Sequence, residues 1–374
     1  MVWILGFGLS VAFLLYVLFG YPLVLGYLAQ SRKRPVKTAP IEPGVSFIVA
    51  VHNGERFIEQ KLQSILNLEY PLDRMEILIA SDGCTDRTEE IVGRYARPGI
   101  RLLRLPRAGK PSALNAAMRE ASNDLLVFTD VRQELAPESL AMLVQNFADP
   151  EVGAASGELV ILRGDTREQA DVGLYWRYEF WIRLRLSAID SIFGATGAYY
   201  ALRRNLAIPI PPDSLLDDMY LPLHAFFRGY RLVVDPRARM FDHPTNLEAE
   251  FRRKVRTLAG NYQILRSYPQ LLGPRNRLWF HFYSYKFARL LLPFGLLAIL
   301  TFSFGLPSPW KAVALLGQAA FYAAALADRW IPEGILKKAT SPAHTFVALM
   351  AATLCAVSVF FVPTAKLWKP SPGR

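Results

Sequence analysis

The chain has 374 residues, a formal net charge of +11 and 52% hydrophobic residues, with a mean hydropathy of +0.18. An aromatic content of 12% excludes a disordered chain, 20% charged residues is too many for a chain lying mostly in a membrane, and the apolarity is too high for a soluble nucleic-acid binder. Two distant cysteines, Cys84 and Cys355, offer neither a disulfide framework nor a zinc ribbon.

Along the chain, no charged side chain occurs from Met1 to Ser31, and then Arg32, Lys33, Arg34 and Lys37 follow within six residues. A signal peptide has the opposite order, with basic residues first. The stretch exceeds the ~20 residues that cross a bilayer, so it predicts a transmembrane helix. The positive-inside rule places its N-terminus outside and the next domain in the cytoplasm.

Val45–Val51 is a continuous apolar, β-branched run, as expected of a strand buried on both faces. A helical pattern follows through Ile58, Leu62, Ile65 and Leu66. Next come a predicted strand at Met75–Ala80, a helix near Thr85–Tyr95 and a strand at Ile100–Leu105. A helix near Pro111–Ala121 and a strand at Asp124–Thr129 complete the alternation. This order implies right-handed crossovers and a mainly parallel α/β sheet. Ligands of such sheets bind beyond the carboxyl ends of the strands. Four polar loops fall there: His52 to Glu55, Ser81 to Asp86, Arg107 to Asn115, and Thr129 to Arg132. Thr85 or Asp86 suits a helix cap. A Gly-Lys pair at the start of a helix suits an anion, although it lacks the phosphate-loop spacing. Acids in two loops and a lysine in a third suggest a nucleotide diphosphate site.

From Phe251 to Arg289 there are nine basic residues and no acids, interleaved with Tyr262, Tyr268, Trp279, Phe280, Phe282, Tyr283 and Tyr285. Beside an apolar segment, this pattern reads as helices in the headgroup layer rather than as a nucleic-acid surface. Leu290–Trp310 and Ala339–Ala365 carry no Asp, Glu, Lys or Arg and are long enough to span. Ala312–Ala327 is either a short span or one arm of a re-entrant hairpin. The +11 thus resolves into two basic collars, residues 32–37 and 251–289, around a nearly neutral remainder.

Seven segments resemble, in order, the motifs of membrane-bound family 2 glycosyltransferases, of the cellulose synthase-like and poly-N-acetylglucosamine synthase-like superfamily. They are Val49 to Glu55 (VAVHNGE), Ser81 to Asp86 (SDGCTD), Gly109 to Asn115 (GKPSALN), Phe128 to Asp130 (FTD), Gly194 to Tyr199 (GATGAY), Leu216 to Leu221 (LDDMYL) and Arg252 to Asn261 (RRKVRTLAGN). The resemblance covers roughly residues 45–265 and implies an inverting enzyme of the GT-A fold that uses a nucleotide sugar.

Carried over, the resemblance implies a role for each residue. Asn53, Glu55, Asp82, Lys110, Asp130 and Arg132 fall on the nucleotide-sugar side, with Glu55 and Asp82 at the uridine and Lys110 near the diphosphate or the uridine pocket. Asp130 is the first acid of a DxD motif and the implied ligand of Mg²⁺ or Mn²⁺, hard cations suited to carboxylate and phosphate oxygens. Asp218 is the implied general base, with Asp217 orienting the helix or tuning that carboxylate. Gly194, Thr196 and Gly197 fall on the acceptor side, and Arg253 and Arg256 near the leaving diphosphate.

Two positions depart from the motifs. Arg132 stands where the second DxD acid belongs, facing either the diphosphate or solvent. Thr257 replaces the tryptophan of the (Q/R)xxRW motif that processive synthases use at the acceptor site, which argues against long-chain polymerisation. His243 is an additional candidate metal ligand, or an ordinary loop residue.

The expected organisation is an N-terminal transmembrane helix (1–31), a cytoplasmic GT-A domain (38–250), basic amphipathic interfacial helices (251–289) and a C-terminal transmembrane region (290–365). The expected location is the bacterial inner (plasma) membrane. The expected reaction moves sugar from a UDP-sugar to a lipid, lipid-linked or polysaccharide acceptor, with no nucleic-acid partner. A processive exopolysaccharide synthase is the alternative within the class. A transporter or flippase subunit with a nucleotide-sensing domain is the alternative outside it.

Overall fold

The computed structural model describes residues 1–95, 99–162, 167–243, 247–332 and 334–364. The tail beyond 364, including the end of the Ala339–Ala365 window, lies outside the described residues. The chain divides into two compact units, one of residues 31–162 and 180–243, the other of 1–30, 163–179 and 244–374.

The first unit is built on one eight-stranded sheet: β1 (Val45–Val51), β2 (Met75–Asp82), β3 (Ile100–Leu105), β4 (Leu125–Thr129), β5 (Glu134–Leu135), β6 (Val152–Ile161), β7 (Tyr199–Arg203) and β8 (Arg231–Asp242), in the order β3-β2-β1-β4-β7-β6-β8-β5. β3, β2, β1 and β4 are parallel. The apolar run of β1 is buried along nearly its whole length, because both faces are covered. Ile58, Leu62 and Ile65, on one face of the helix Ile58–Leu66, bury fully in the core with Val45, Phe47, Ile77 and Val127. The chain runs from β1 outward to β2 and β3, then returns to place β4 on the other flank of β1. This is a topological switch point, with its crevice at the carboxyl ends of β1 and β4.

Beyond β4 the sheet becomes mixed. β7 runs antiparallel to β4 with Phe128 opposite Tyr200 and Thr129 opposite Tyr199. The loop that precedes β7 therefore arrives beside the carboxyl end of β4, and the N–H of Asp130 donates to the carbonyl of Ala198 at 3.4 Å. The irregular register between β6 and β8 at Ser156/Glu158 brings the backbones so close that a Cβ on Gly157 would lie 2.5 Å from the carbonyl oxygen of Ala238.

The second unit is helical. Among the described residues, four helices are long and apolar enough to cross a membrane: Val2–Ser31, Trp279–Ser303, Trp310–Trp330 and Ile335–Phe360. Their outward faces carry exposed Leu5, Leu9, Leu316 and Leu326, the surface that a hydrocarbon solvent tolerates. Trp3 packs edge-on against Phe302 with ring centroids 6.0 Å apart, and glycine at 6 and 305 leaves room for the rings. Tyr16 Oη meets Ser284 Oγ at 2.7 Å, joining the first helix to the second. The helix carrying the window Leu290–Trp310 begins as early as Trp279, so most of the aromatic cluster 279–285 belongs to a membrane-length helix. Ala312–Ala327 likewise lies within a 21-residue helix, Trp310–Trp330.

Candidate active site

The four expected loops meet at the carboxyl edge of the parallel strands, and they are tied to each other. Asn53 adopts a left-handed backbone (φ 50°), a conformation asparagine tolerates. Its Oδ1 accepts the N–H of Thr85 at 2.8 Å. The N–H of Gly54 donates to Thr88 Oγ1 at 2.9 Å, and Glu55 Oε2 accepts the N–H of Arg87 at 3.1 Å. Asp86 Oδ1 accepts the N–H of Thr88, the first residue of the helix Thr88–Arg94, at 3.1 Å. Asp82 is buried, pairs with Arg107, and accepts the N–H groups of Ala108 and Gly109 at 2.7 and 3.0 Å. Gly109 holds φ at 91°, a value glycine adopts without strain, and this turn starts the helix Lys110–Glu120.

Lys110 is the centre of the charge arrangement. Its Nζ lies 3.0 Å from Asp130 Oδ1 and 3.3 Å from Asp217 Oδ1. Burial works against its charge, but Asp130, Asp217 and Asp218 outweigh it and hold the ammonium above its ordinary pKa. Asp217 and Asp218 open the helix Asp217–Phe227, where the helix dipole favours negative charge. Asp218 Oδ2 accepts the N–H of Gly197 at 2.9 Å, and its carbonyl accepts the N–H of Ala195 at 2.7 Å. Burial and the adjacent Asp217 push the Asp218 carboxyl up to about 6, with Lys110 working in the other direction and Asp130 adding to the rise. A carboxylate raised towards neutrality is suited to take a proton from a hydroxyl.

The loop 194–197 is positioned from below. Thr196 donates its N–H to Ser156 Oγ at 2.9 Å, and Arg183 reaches Thr196 Oγ1, Ser156 Oγ and the carbonyl of Gly194. Gly194 is required because a Cβ there would lie 2.9 Å from Met219 Cγ.

Arg132 has a protein partner that its sequence position does not announce, and its side chain stays 35% exposed. It pairs with the buried Asp242 at the end of β8 at 2.5 Å, and Gln133 Nε2 donates to the same oxygen at 2.8 Å. Arg132 is thus held by a protein acid. His243 is exposed, and among the described residues no group of three or more His, Cys, Asp or Glu is disposed to hold a metal. Asp130 presents a carboxylate at this edge, with its side chain 41% exposed. Such a donor fits a hard cation that keeps water ligands and shares a diphosphate, and does not fit a cation caged by protein alone.

Arg253 and Arg256 lie on the helix Leu247–Ser267 in the other unit. Arg253 pairs with Glu250, and its guanidinium carbon is 4.8 Å from the Trp176 ring centre.

Three residues of the site escape sequence reasoning. Lys61 is fully buried under β4, donates to Thr129 Oγ1 at 2.9 Å, and is pushed down by burial to about 7 against the pull of Asp130, Glu134 and Asp242. Its signal is its spacing, three after Ile58 and four before Ile65 on the apolar face. Asp242 and Arg183 carry no local motif. Both are defined by contacts across long sequence separations.

Two acids at the head of a helix, beside a lysine bridged to one of them and to Asp130, sit at the switch point of a parallel sheet. Comparison with known proteins identifies the family. Residues 46–208 match Glycosyl transferase family 2, and residues 132–327, over half of the chain, match Glycosyl transferase family group 2. The chain belongs to the family 2 glycosyltransferases.

It is 26% identical over 278 residues to the "Probable glycosyltransferase YdaM" of Bacillus subtilis, covering 68% of this chain and 64% of that one. It is 23% identical over 247 residues to the "Poly-beta-1,6-N-acetyl-D-glucosamine synthase" of Staphylococcus aureus, covering 63% and 58%. The chain thus spans less than two thirds of the length of the curated relatives it matches. Among solved structures, it resembles a mannosyltransferase from Pyrobaculum calidifontis in complex with GDP-Man and Mn²⁺, with a TM-score of 0.70, 24% identity, and coverage of 93% of this chain and 99% of that one. That likeness establishes the GT-A fold expected from the motifs.

Proposed function

We propose that the enzyme transfers one sugar from a UDP-sugar to a lipid, lipid-linked or glycan acceptor, with inversion at the anomeric carbon. The observation that carries this reading is the Asp218 carboxyl, held by the Gly197 N–H and raised to about 6. In the proposed step the acceptor hydroxyl gives its proton to Asp218 as its oxygen bonds to the anomeric carbon. The bond from that carbon to the diphosphate breaks on the opposite side, and the electron pair leaves with UDP. Asn53, Glu55 and Asp82 form the nucleoside end of the donor site. Lys110 and Asp130 form the diphosphate end, where Asp130 would hold Mg²⁺ or Mn²⁺ and the cation would supply positive charge to the leaving phosphate. Gly194, Thr196 and Gly197 line the acceptor end. Transfer with a panel of UDP-sugars, and GDP-mannose beside them, tests the donor: turnover with GDP-mannose alone would overturn the uridine assignment.

The similarity to a poly-β-1,6-N-acetylglucosamine synthase favours a second reading, a processive synthase. Product length from purified enzyme and labelled donor separates the two, a single added sugar supporting the first. Membership of the glycosyltransferase family leaves the transporter reading without support.

For topology, we infer that residues 31–243 form a cytoplasmic domain and that the N-terminus lies outside the inner membrane. Four crossings would then place the end of the third helix and the start of the fourth inside, and those helix ends carry Arg329, Lys337 and Lys338. Protease accessibility in sealed vesicles of known orientation checks this arrangement.

A further inference from the structure

The helix Ile58–Leu66 carries a charge into the core behind the site. Lys61 is 1% exposed and shares its buried helix face with Ile58, Leu62 and Ile65. Burying an ammonium costs more than burying an apolar side chain of the same length, so packing alone does not account for it. Its Nζ donates to Thr129 Oγ1 at 2.9 Å, at the carboxyl end of β4. Asp130, Glu134 and Asp242 are the acids whose charge it feels.

An ammonium has protons to give and no lone pair to receive one, so the Thr129 oxygen is the acceptor of that bond. The single hydroxyl proton is left to donate elsewhere, and the carbonyl of Ala198 lies 2.9 Å away. The carbonyl of Asp130 is at 3.4 Å, beyond the usual range of an O–H···O bond. The bonds therefore run in one direction, from Lys61 through Thr129 to Ala198. A charged donor at the head of such a chain polarises and strengthens the second bond.

The chain lies where the sheet stops. Thr129 opposite Tyr199 is the last pair of the β4–β7 ladder. One residue further, the Asp130 N–H reaches the Ala198 carbonyl only at 3.4 Å, longer than an ordinary N–H···O bond. The Thr129 hydroxyl holds the same carbonyl by a shorter bond. Thr129 precedes Asp130, the donor-side acid, and Ala198 follows Gly197, whose N–H meets Asp218 Oδ2 at 2.9 Å. A side-chain bond thus joins the two halves of the site past the end of the backbone pairing.

We propose that Lys61 is a positioning residue for sugar transfer, acting through the Thr129 hydroxyl to fix the Ala198 carbonyl and hence the Gly197 amide against Asp218. Lys61 itself touches neither donor nor acceptor. The inference rests on Asp218 as the base.

The test compares Thr129→Val, Thr129→Ser, Lys61→Met and the double variant Lys61→Met/Thr129→Val in the full chain. Rates are read as UDP release from the sugar nucleotide that the donor panel identifies, and binding by UDP calorimetry. Thr129→Val keeps the side-chain shape and deletes the hydroxyl. Its kcat should fall about 10–10²-fold, the scale of a small misplacement of reacting groups, while UDP affinity stays within a few-fold. With the Gly197 amide displaced, the ionised Asp218 carboxyl loses a donor, so the acid limb of kcat/KM should move to higher pH. Thr129→Ser should recover most of the rate and the native limb, and Lys61→Met should be slowed several-fold or more. In the double variant, stability and rate should separate. Replacing both partners by apolar groups is nearly neutral for folding, so Tm should recover from its value in Thr129→Val while kcat stays as low as in that variant. This double variant also carries the test should Lys61→Met alone not fold.

An unchanged kcat in Thr129→Val, a Thr129→Ser variant no faster than Thr129→Val, or a rate that recovers together with Tm in the double variant would each overturn the assignment. So would losses from the two single variants that multiply in the double. Full activity in Thr129→Val beside an inactive Asp218→Asn refutes the positioning role and leaves the base in place, whereas an active Asp218→Asn removes the base itself.

Discussion

The backbone N–H of Gly197 donates to Oδ2 of Asp218 at 2.9 Å, and a Cβ built on Gly197 would lie 2.9 Å from that same oxygen. The hydrogen bond and the missing side chain are one requirement, since the carboxylate can reach the amide only where no methyl group intervenes. Gly197→Ala should therefore displace Asp218 and lower kcat about 10²-fold, the low end of what general acid–base catalysis contributes. Donor affinity should stay within a few-fold. Steady-state kinetics alongside UDP calorimetry read both quantities.

Asp218→Asn removes the proposed proton acceptor and keeps the shape. Transfer should fall by ~10²–10⁴-fold, with UDP binding retained. The native carboxyl is raised in the fold, so its ionised form is disfavoured there relative to the unfolded chain. Its contribution to stability is therefore unfavourable once the pH is high enough to ionise it. The asparagine variant should be at least as thermostable as the parent at pH 8. A large fall in Tm would show that lost activity reflects misfolding.

The pH profile follows from the same group. A base with a pKa of about 6 is ionised and competent above that pH, and competence is lost as pH falls through 6. kcat/KM should decline with unit slope on the acid side of about pH 6. Lys110 lowers the pKa of Asp218, so Lys110→Met should move that limb to higher pH as well as weaken donor binding. An unmoved limb in Lys110→Met would separate Lys110 from the base.

Arg132 neutralises the buried Asp242. Arg132→Ala leaves that carboxylate with Gln133 as its remaining described partner, and should destabilise the protein by about 1–3 kcal/mol. Adding Asp242→Asn should recover part of the loss, as expected for a coupled pair. Thermal unfolding of the two singles and the double variant measures the coupling.

Asp130 offers one carboxylate for a cation shared with the diphosphate. EDTA should slow transfer, and Mg²⁺ or Mn²⁺ should restore it. The cation should also tighten UDP binding, an effect lost in Asp130→Ala. Full activity in EDTA would assign the diphosphate charge to Lys110 alone.

Much of this arrangement is legible in the sequence, because parallel strands buried on both faces read as apolar runs and their ligand loops follow at once. Val45–Val51 matches β1, and the Asp217–Asp218 pair opens a helix as its motif implies. The Arg132–Asp242 pair was not legible, because 110 residues separate partners that only the β5–β8 pairing brings together. Lys61 was missed for a different reason. Lysine is almost never fully buried, so a lysine on an apolar helix face is naturally read as snorkelling to solvent. Trp176 shows the limit of motif reading from the other side. The expected tryptophan is absent at position 257, yet an indole from a different helix stands over Arg253.

The antiparallel insertion of β7 beside β4 fixes more than the order of the sheet. Thr129 faces Tyr199 across the ladder, with Asp130 one step beyond one partner and Gly197 two steps before the other. The proposed leaving-group end and nucleophile end are thus graduated on a single backbone ruler. A one-residue deletion in β7 would turn every following side chain to the opposite face, so the span between the two ends cannot be adjusted in small increments. New acceptors or donors must be accommodated by exchanging side chains and loops around an invariant gap, and loop grafts that respect residues 197–203 should alter substrate choice without retuning the distance over which the sugar moves.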